Sequence, residues 1–199
     1  MTYRRKDAYY RRARAAGYRA RSAWKLAELD ARYHLLHRGD LVVDVGAWPG
    51  GWVQVALERV GPEGRIVAVD VTPIDPFPAV NVRLVSGDVR DAATWRTVLA
   101  QLGRPADVVL SDLAPKLTGI RDTDDARSAE LVDATLRALP TVLRPGGRLL
   151  VKLFMGGTYD DTLDRLRRTF GDVRTTRPEA TRRGSAELYA LGSDHLPAA

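Results

Sequence analysis

Short apolar runs rich in β-branched residues alternate along the chain with longer segments of helical periodicity, and this alternation restricts the fold most strongly. Several runs are apolar at consecutive positions, which is typical of strands covered by helices on both faces. We predict six strands, at residues 41–45, 65–69, 81–85, 107–111, 148–153 and 187–191. Helices are predicted between them, at residues 22–33, 51–60, 92–102, 124–143 and 159–170.

Repeated strand–helix alternation favours an open α/β sheet with helices on both faces. Two predicted helices begin at residues suited to N-caps, Ser22 and either Asp124 or Asp125. Helix ends are predicted where glycine or proline follows, at Gly61, Gly103 and 145–147. A length of 199 residues suits one domain. We expect that domain to span 22–199 and to follow a basic arm formed by 1–21.

The positive charge of the protein is concentrated in its first 25 residues. They hold nine of the 31 lysines and arginines and one acid, Asp7, which leaves 22 bases and 24 acids in the other 174 residues. Five aromatic residues are interleaved with these bases: Tyr3, Tyr9, Tyr10, Tyr18 and Trp24. Arginines next to aromatic side chains bind phosphates and unstacked bases, so the arm predicts RNA binding. A tail that only aids solubility or contacts a membrane surface remains the alternative.

Composition excludes several other classes of protein. No cysteine is present, so a disulfide scaffold and a thiolate zinc site are excluded. The three histidines, His34, His37 and His195, are scattered, and no metal site is expected. No run approaches the ~20 apolar residues of a membrane helix, and the N-terminus lacks a secretory apolar core. We therefore expect a cytoplasmic protein, monomeric by default, with no membrane partner.

Polar residues follow four of the predicted strands. Asp70, Asp112 and Lys152 end or directly follow their strands, and Asp88 comes shortly after the third. In open α/β sheets, ligands bind beyond the carboxyl ends of the strands. The sequence thus predicts a ligand site at this edge of the sheet.

The first strand leads into a glycine-rich turn that opens a helix, from Gly46 to Trp52. Glycines here let the backbone approach a ligand. The turn lacks the Gly-Lys-Ser/Thr of a P-loop and the central glycine of the dinucleotide pattern. A mononucleoside cofactor fits better, with Asp70 accepting from ribose hydroxyls and Asp88 from an adenine amino group.

Five segments in order resemble the FtsJ-like ribose methyltransferases, especially the bacterial enzyme that acts on large-subunit ribosomal RNA. The resemblance runs from about Tyr9 to Leu191. Its densest parts are 17–26 (GYRARSAWKL), 43–52 (VDVGAWPGGW), 110–115 (LSDLAP), 151–154 (VKLF) and 183–189 (RGSAELY). It implies a Rossmann-like methyltransferase fold with a seven-stranded, mostly parallel sheet. One strand, carrying Glu187, would be inserted antiparallel.

The resemblance also implies the site residues. The catalytic tetrad of the family falls on Lys25, Asp112, Lys152 and Glu187. Its residues for S-adenosyl-L-methionine fall on five positions, Gly50, Trp52, Asp70, Asp88 and Asp112, to which we add Gly46 from the glycine-rich turn.

The implied reaction is methyl transfer to a ribose 2′-hydroxyl, with a uridine in the A-loop of 23S ribosomal RNA as the implied target. Lys152 would take the hydroxyl proton or stabilise the developing alkoxide, and Asp112 would orient Lys152. Lys25 and Glu187 would fix the ribose. Departures from the family pattern at Trp48, Lys116 and 155–157 bear on the identity of the RNA more than on the chemistry.

Three other functions are compatible with parts of the pattern. A transfer-RNA ribose methyltransferase of the same group would keep the chemistry and change the substrate. A nicotinamide oxidoreductase could use the same sheet plan, although the dinucleotide pattern is missing. A non-catalytic RNA-binding assembly factor would retain the fold without the reaction.

Overall fold

The computed structural model describes residues 8–115, 118–181 and 184–197. Several residues considered above lie outside the described ones. They are Tyr3, Arg4, Arg5 and Lys6 of the basic arm, Lys116 among the departures from the family pattern, and Arg182 and Arg183 near the last family segment. The side chains of Tyr9 and Tyr10 are outside them as well.

Seven strands and six helices make up the described chain. The strands are β1 (Leu41–Val45), β2 (Arg65–Asp70), β3 (Val82–Ser86), β4 (Ala106–Ser111), β5 (Leu143–Phe154), β6 (Phe170–Thr176) and β7 (Glu187–His195). The helices are α1 (Ala8–Ala15), α2 (Ala23–Tyr33), α3 (Gly51–Val60), α4 (Ala92–Leu102), α5 (Arg121–Val142) and α6 (Tyr159–Thr169). Every predicted element is present, and α1 and β6 are additional.

The strands form one sheet in the order β3-β2-β1-β4-β5-β7-β6. Neighbours from β3 to β5 pair in parallel, whereas β7 is antiparallel to both β5 and β6 and lies between them. This arrangement confirms the expected seven-stranded, mostly parallel sheet with one inserted antiparallel strand.

Helices cover both faces of the sheet because successive strand residues point to opposite sides. Val43 and Val45 pack with residues of α4, α5 and α6, while Val42 packs with residues of α2 and α3. Each of these valines is fully buried. The strands are therefore held from both sides, and their carboxyl ends meet at one edge.

Some predicted helix boundaries were right and others wrong. Gly61 and Gly103 follow α3 and α4 with positive φ angles, as expected of glycine stops. Residues 145–147, however, lie inside β5, because α5 ends at Val142 and the chain enters the strand at once. Ser22 is helical and forms no side-chain cap.

The aspartate predicted to cap the fourth helix acts from within α5. Asp124 accepts hydrogen bonds from the backbone amides of Thr118 and Gly119, in the loop that leads into this helix. It thereby holds Thr118 and Gly119 against the first turn of α5. Asp125 instead accepts from Thr158.

Within the described ranges, no helix is both long enough and apolar enough to cross a membrane.

Candidate active site

Strand pairing brings three of the four predicted catalytic residues to one edge of the sheet. Ser111 pairs with Val151, so Asp112 and Lys152 follow one another on adjacent strands. On the other side of β5, Lys152 pairs with Tyr189 and Phe154 with Glu187. The inserted antiparallel strand thus places a carboxylate next to Lys152 from the opposite direction.

Lys152 is held by Asp112. Its Nζ donates to the Asp112 backbone oxygen at 2.6 Å and to Oδ1 at 3.1 Å. Only 7% of Lys152 is exposed. A nearly buried ammonium is stable only with partners, and Asp112 supplies both of those described.

Lys25 reaches the same place from α2. Its Nζ forms a short ion pair with Oε1 of Glu187 and lies 3.4 Å from the hydroxyl of Tyr189. Lys25 is as buried as Lys152, at 7% exposure. Two lysines and two carboxylates, distant in sequence, therefore lie close together as two ion pairs.

Tyr189, which had no predicted role, joins the two pairs. Its hydroxyl donates to Asp112 Oδ1 at 2.8 Å. Burial, followed by the negative charges of Asp112 and Glu187, raises its pKa well above the ordinary value, so the hydroxyl stays protonated. The two-residue period of a strand could have revealed it, because Glu187 and Tyr189 lie on the same face of β7.

A cavity of about 230 Å³ lies beyond the ends of β1, β2 and β3. Gly46, Asp70 and Asp88 line it, together with Leu113, which follows Asp112. The structure thus brings three of the predicted cofactor residues to one cavity. It is bounded by the glycine-rich turn on one side and by the loop after β4 on the other.

The two carboxylates of this cavity are already positioned by other groups. Asp70 accepts from the backbone amides of Trp48 and Thr72 at 2.9 and 2.8 Å, which ties the turn after β1 to the end of β2. Asp88 is paired with Arg90 at 2.6 Å. Hydrogen bonds from Arg90 lower the pKa of Asp88, so its carboxylate is ionised and acts as an acceptor.

The other three predicted cofactor residues, Gly50, Trp52 and Asp112, are not among the residues that line this cavity. The ring of Trp52 is buried against Tyr189, with centroids 5.9 Å apart, and its Nε1 donates to the Ser22 backbone oxygen. Gly50 has a φ of 108°, and a side chain there would collide with the ring of Phe77. Trp52 therefore supports the predicted tetrad through Tyr189, and Gly50 allows Phe77 to lie close to the turn.

The positions that depart from the family pattern lie mostly at the surface. Trp48 is 56% exposed and Met155 is 49% exposed. Both are large apolar side chains open to solvent. They are available to contact a large substrate.

Asp44, in β1, is a second residue near this site that had no predicted role. It is fully buried, and neither carboxyl oxygen has a hydrogen-bond partner among the described residues. Burial, and then the charges of Asp112 and Asp70, raise its pKa well above the usual range. Three carboxyl groups therefore meet at the ends of β1, β2 and β4.

Asp44 keeps its proton and adds no charge here, so the carboxylates of Asp70, Asp88 and Asp112 are what favour a cationic ligand over an anionic one. A dinucleotide pyrophosphate would be repelled there, whereas a sulfonium would be attracted. The residues present thus fit S-adenosyl-L-methionine. Across the described part of the chain, no cluster of three or more histidine, aspartate or glutamate residues is arranged to hold a metal ion.

The model of the FtsJ-like methyltransferase family matches residues 18–195, almost the whole chain. The protein belongs to this family. Membership confirms the resemblance recognised in the sequence. It also identifies the protein as a methyltransferase with S-adenosyl-L-methionine as donor, and it excludes the nicotinamide oxidoreductase.

Similar proteins match this chain over almost all of its length and over about nine tenths of their own. The chain is 46% identical over 191 residues to ribosomal RNA large subunit methyltransferase E of Methanothermobacter thermautotrophicus, covering 96% of this chain and 90% of the relative. It is 44% identical over 189 residues to the protein of that name from an Azoarcus species, covering 94% and 91%.

Solved structures share the fold. A Plasmodium falciparum protein described as a ribosomal RNA methyltransferase superposes with a TM-score of 0.81 at 28% identity, covering 91% of this chain and all of that one. Aeropyrum pernix fibrillarin, solved with bound S-adenosyl-L-methionine, gives a TM-score of 0.62 at 17% identity, covering 86% of this chain and 76% of that one. At that identity the second likeness concerns the fold alone.

Proposed function

We propose that this protein transfers a methyl group from S-adenosyl-L-methionine to a ribose 2′-hydroxyl of RNA, and that the target is a uridine in the A-loop of 23S ribosomal RNA. The observation that carries the proposal is the pairing of Lys25 with Glu187 and of Lys152 with Asp112, joined through Tyr189. This group adjoins the cofactor cavity, since Leu113 lines that cavity.

The residues that would hold the cofactor are Gly46, Asp70 and Asp88, with Asp112 at the end nearest the lysines. When bound, S-adenosyl-L-methionine supplies an activated methyl group on a positively charged sulfur. The protein must then position the attacking oxygen and favour loss of its proton.

Lys152 is the residue best placed to act on the ribose oxygen. Two of the three hydrogen-bonding positions of Nζ are directed at Asp112 oxygens. The third has no hydrogen-bond partner among the described residues and is left for the substrate. If the amine is neutral, this position is a lone pair that accepts the hydroxyl proton. If the amine is protonated, it is an N–H that stabilises the alkoxide. The dependence of kcat on pH distinguishes the two roles.

Lys25 and Glu187 would position the ribose. Their ion pair is nearly buried, with side chains 9% and 14% exposed, so its geometry is fixed before RNA arrives. Fixed donors and acceptors lower the barrier without reorganising during the reaction. The residual exposure leaves access for a ribose that enters from solvent.

The basic arm and neighbouring arginines support RNA as the substrate. Arg11, Arg12 and Arg14 are exposed on α1, and Arg12 lies over the ring of Trp24 at 5.0 Å. Arg177, in the segment after β6, is also exposed. The similar proteins are named as large-subunit ribosomal RNA methyltransferases, which favours that RNA over transfer RNA.

The experiment is a methylation assay with radiolabelled S-adenosyl-L-methionine on purified large subunits, free 23S ribosomal RNA and transfer RNA. Labelled RNA is digested to nucleosides, and mass spectrometry distinguishes a ribose-methylated uridine from a base-methylated one. We expect a 2′-O-methyluridine that maps to the A-loop. Label in transfer RNA, or on a base, would contradict the proposal; Lys152→Ala serves as the inactive control.

A further inference from the structure

The segment that leads from the arm into α2, residues 17–22, packs along the helix that opens the cofactor turn. The Gln54 side chain of α3 brackets it, since its Oε1 accepts from the Arg19 amide at 2.7 Å and its Nε2 donates to the Gly17 oxygen at 2.9 Å. A side chain at Gly51 would meet Ala20 at 3.0 Å. This end of the arm is therefore held against the turn at 46–51.

The Arg19 guanidinium binds backbone oxygens in two different loops. It donates to Asp75 and Pro76 at 2.7 Å each, in the loop between β2 and β3, and lies 3.4 Å from the Pro49 oxygen of the cofactor turn. Among the described residues, only Arg19 makes side-chain hydrogen bonds to the stretch 73–78. Much of that stretch is exposed, so this arginine is its principal polar attachment.

Phe77 completes the contact. The centre of the Arg19 guanidinium lies 3.8 Å from the ring centroid of Phe77, a favourable cation–π arrangement. The tip of the same ring would be 2.6 Å from a Cβ at Gly50. Arg19 therefore holds the ring of Phe77 against the turn at 46–51.

We propose that Arg19 is a positioning residue for the cofactor turn: it fastens the loop after β2 to the turn after β1 and thereby sets the affinity for S-adenosyl-L-methionine. Its charge is used within the protein, in contrast to Arg11 and Arg14 on α1, which are exposed to solvent. The inference depends on the cofactor and not on the identity of the RNA.

A consequence is that the arm and the cofactor site are thermodynamically coupled. If RNA binding orders residues 17–22, it also stabilises the Arg19 contacts and raises affinity for the cofactor. Linkage requires the reverse effect of equal size, namely tighter RNA binding when the cofactor is present. Loss of Arg19 contacts would weaken both effects together.

The test measures the Kd for S-adenosyl-L-methionine by calorimetry, with and without RNA, in full-length variants. We expect Arg19→Ala to raise this Kd about tenfold without RNA, a loss of ~1.4 kcal/mol. Arg19→Lys should restore only part of the affinity, because an ammonium lacks the planar fork that matches two neighbouring carbonyls. Phe77→Leu should act in the same direction. Arg14→Ala is the matched control on the same arm and should weaken RNA binding alone.

Steady-state kinetics and folding measurements complete the design. In Arg19→Ala, KM for the cofactor should rise while kcat at saturating cofactor and the methylated nucleotide stay unchanged. An unchanged cofactor Kd with weakened RNA binding would overturn the proposal and make Arg19 an RNA contact. A cofactor Kd that rises only in proportion to an unfolded fraction seen by circular dichroism would overturn it as well.

Discussion

The hydroxyl of Tyr189 donates a hydrogen bond to Asp112 Oδ1 across 2.8 Å and lies 3.4 Å from Nζ of Lys25. Tyr189 thus links the Lys152–Asp112 pair to the Lys25–Glu187 pair. Because its pKa is raised, the hydroxyl stays protonated and remains a donor. The four charged groups and this hydroxyl form one continuous network.

Replacing Tyr189 with phenylalanine removes this link and keeps the ring against Trp52. We expect kcat to fall about tenfold, the worth of one buried hydrogen bond of ~1.4 kcal/mol, because Asp112 loses one donor that orients it. Affinity for S-adenosyl-L-methionine should change little. Steady-state kinetics and calorimetry on the same preparation measure both; an unchanged kcat would show that the link is not used.

Replacing Lys152 with alanine should lower kcat by at least ~10², the usual contribution of a positioned proton acceptor or charge stabiliser. The cavity proposed for the cofactor is not lined by Lys152, so cofactor binding should persist. Single-turnover methyl transfer measures the first effect and calorimetry the second. Wild-type turnover in this variant would remove Lys152 from the mechanism.

Asp44→Asn should make the protein less sensitive to rising pH. The folded state keeps the Asp44 proton because its pKa is raised, while the unfolded chain releases it near the ordinary value of 3.8. The contribution of Asp44 to the free energy of unfolding is therefore fully present below about pH 4 and declines as pH rises above that value. The variant has no titratable group at this position. The difference between its free energy of unfolding and that of the wild type should therefore shift in favour of the variant between pH 4 and pH 8. Urea denaturation of both proteins at pH 4 and pH 8 measures this shift. An equal change with pH in the two proteins would contradict the role given to Asp44.

Asp107→Asn should have the opposite pH dependence. Burial opposes ionisation of Asp107, but hydrogen bonds from Arg104, the Leu41 amide and Arg144 outweigh it and lower its pKa to about 2. Its stabilising contribution is therefore present above pH ~4 and is lost as pH falls towards 2.

Both arginines that pair with Asp107 are about half exposed, which limits the effect to ~1 kcal/mol at pH 7. Urea denaturation of the variant should show this loss at pH 7 and a much smaller one near pH 2. Because Asp107 lies at the opposite end of β4 from Asp112, methyl transfer at pH 7 should be unaffected. A stability loss that persists at acid pH would point to packing and not to charge.

The sequence predicted best those elements whose pattern is local. The bounds of β1, α3 and α4 match the prediction because apolar periodicity and glycine stops define them. Strand β6 was not predicted because few of its residues are buried and most of them are polar. Helix α1 was not predicted because it is short and rich in arginine.

The site could be predicted only in part, for a related reason. Asp70, Asp88, Asp112 and Lys152 follow from where strands end. Lys25 and Glu187 came from the resemblance alone, since nothing local indicates that a helix residue and a strand residue so far apart will pair. Arg19 had no predicted role, since its partners lie 30 to 57 positions away and no local pattern indicates them.

Lys25 and Glu187 are 162 positions apart, and the strand that carries Glu187 enters the sheet between two strands that precede it in the chain. A polypeptide emerging from the ribosome therefore lacks the Lys25–Glu187 pair until β7 has been synthesised and inserted. Fragments that stop earlier would have an open edge on β5 and no assembled tetrad. Incomplete products of translation that lack β7 should thus have no methyltransferase activity.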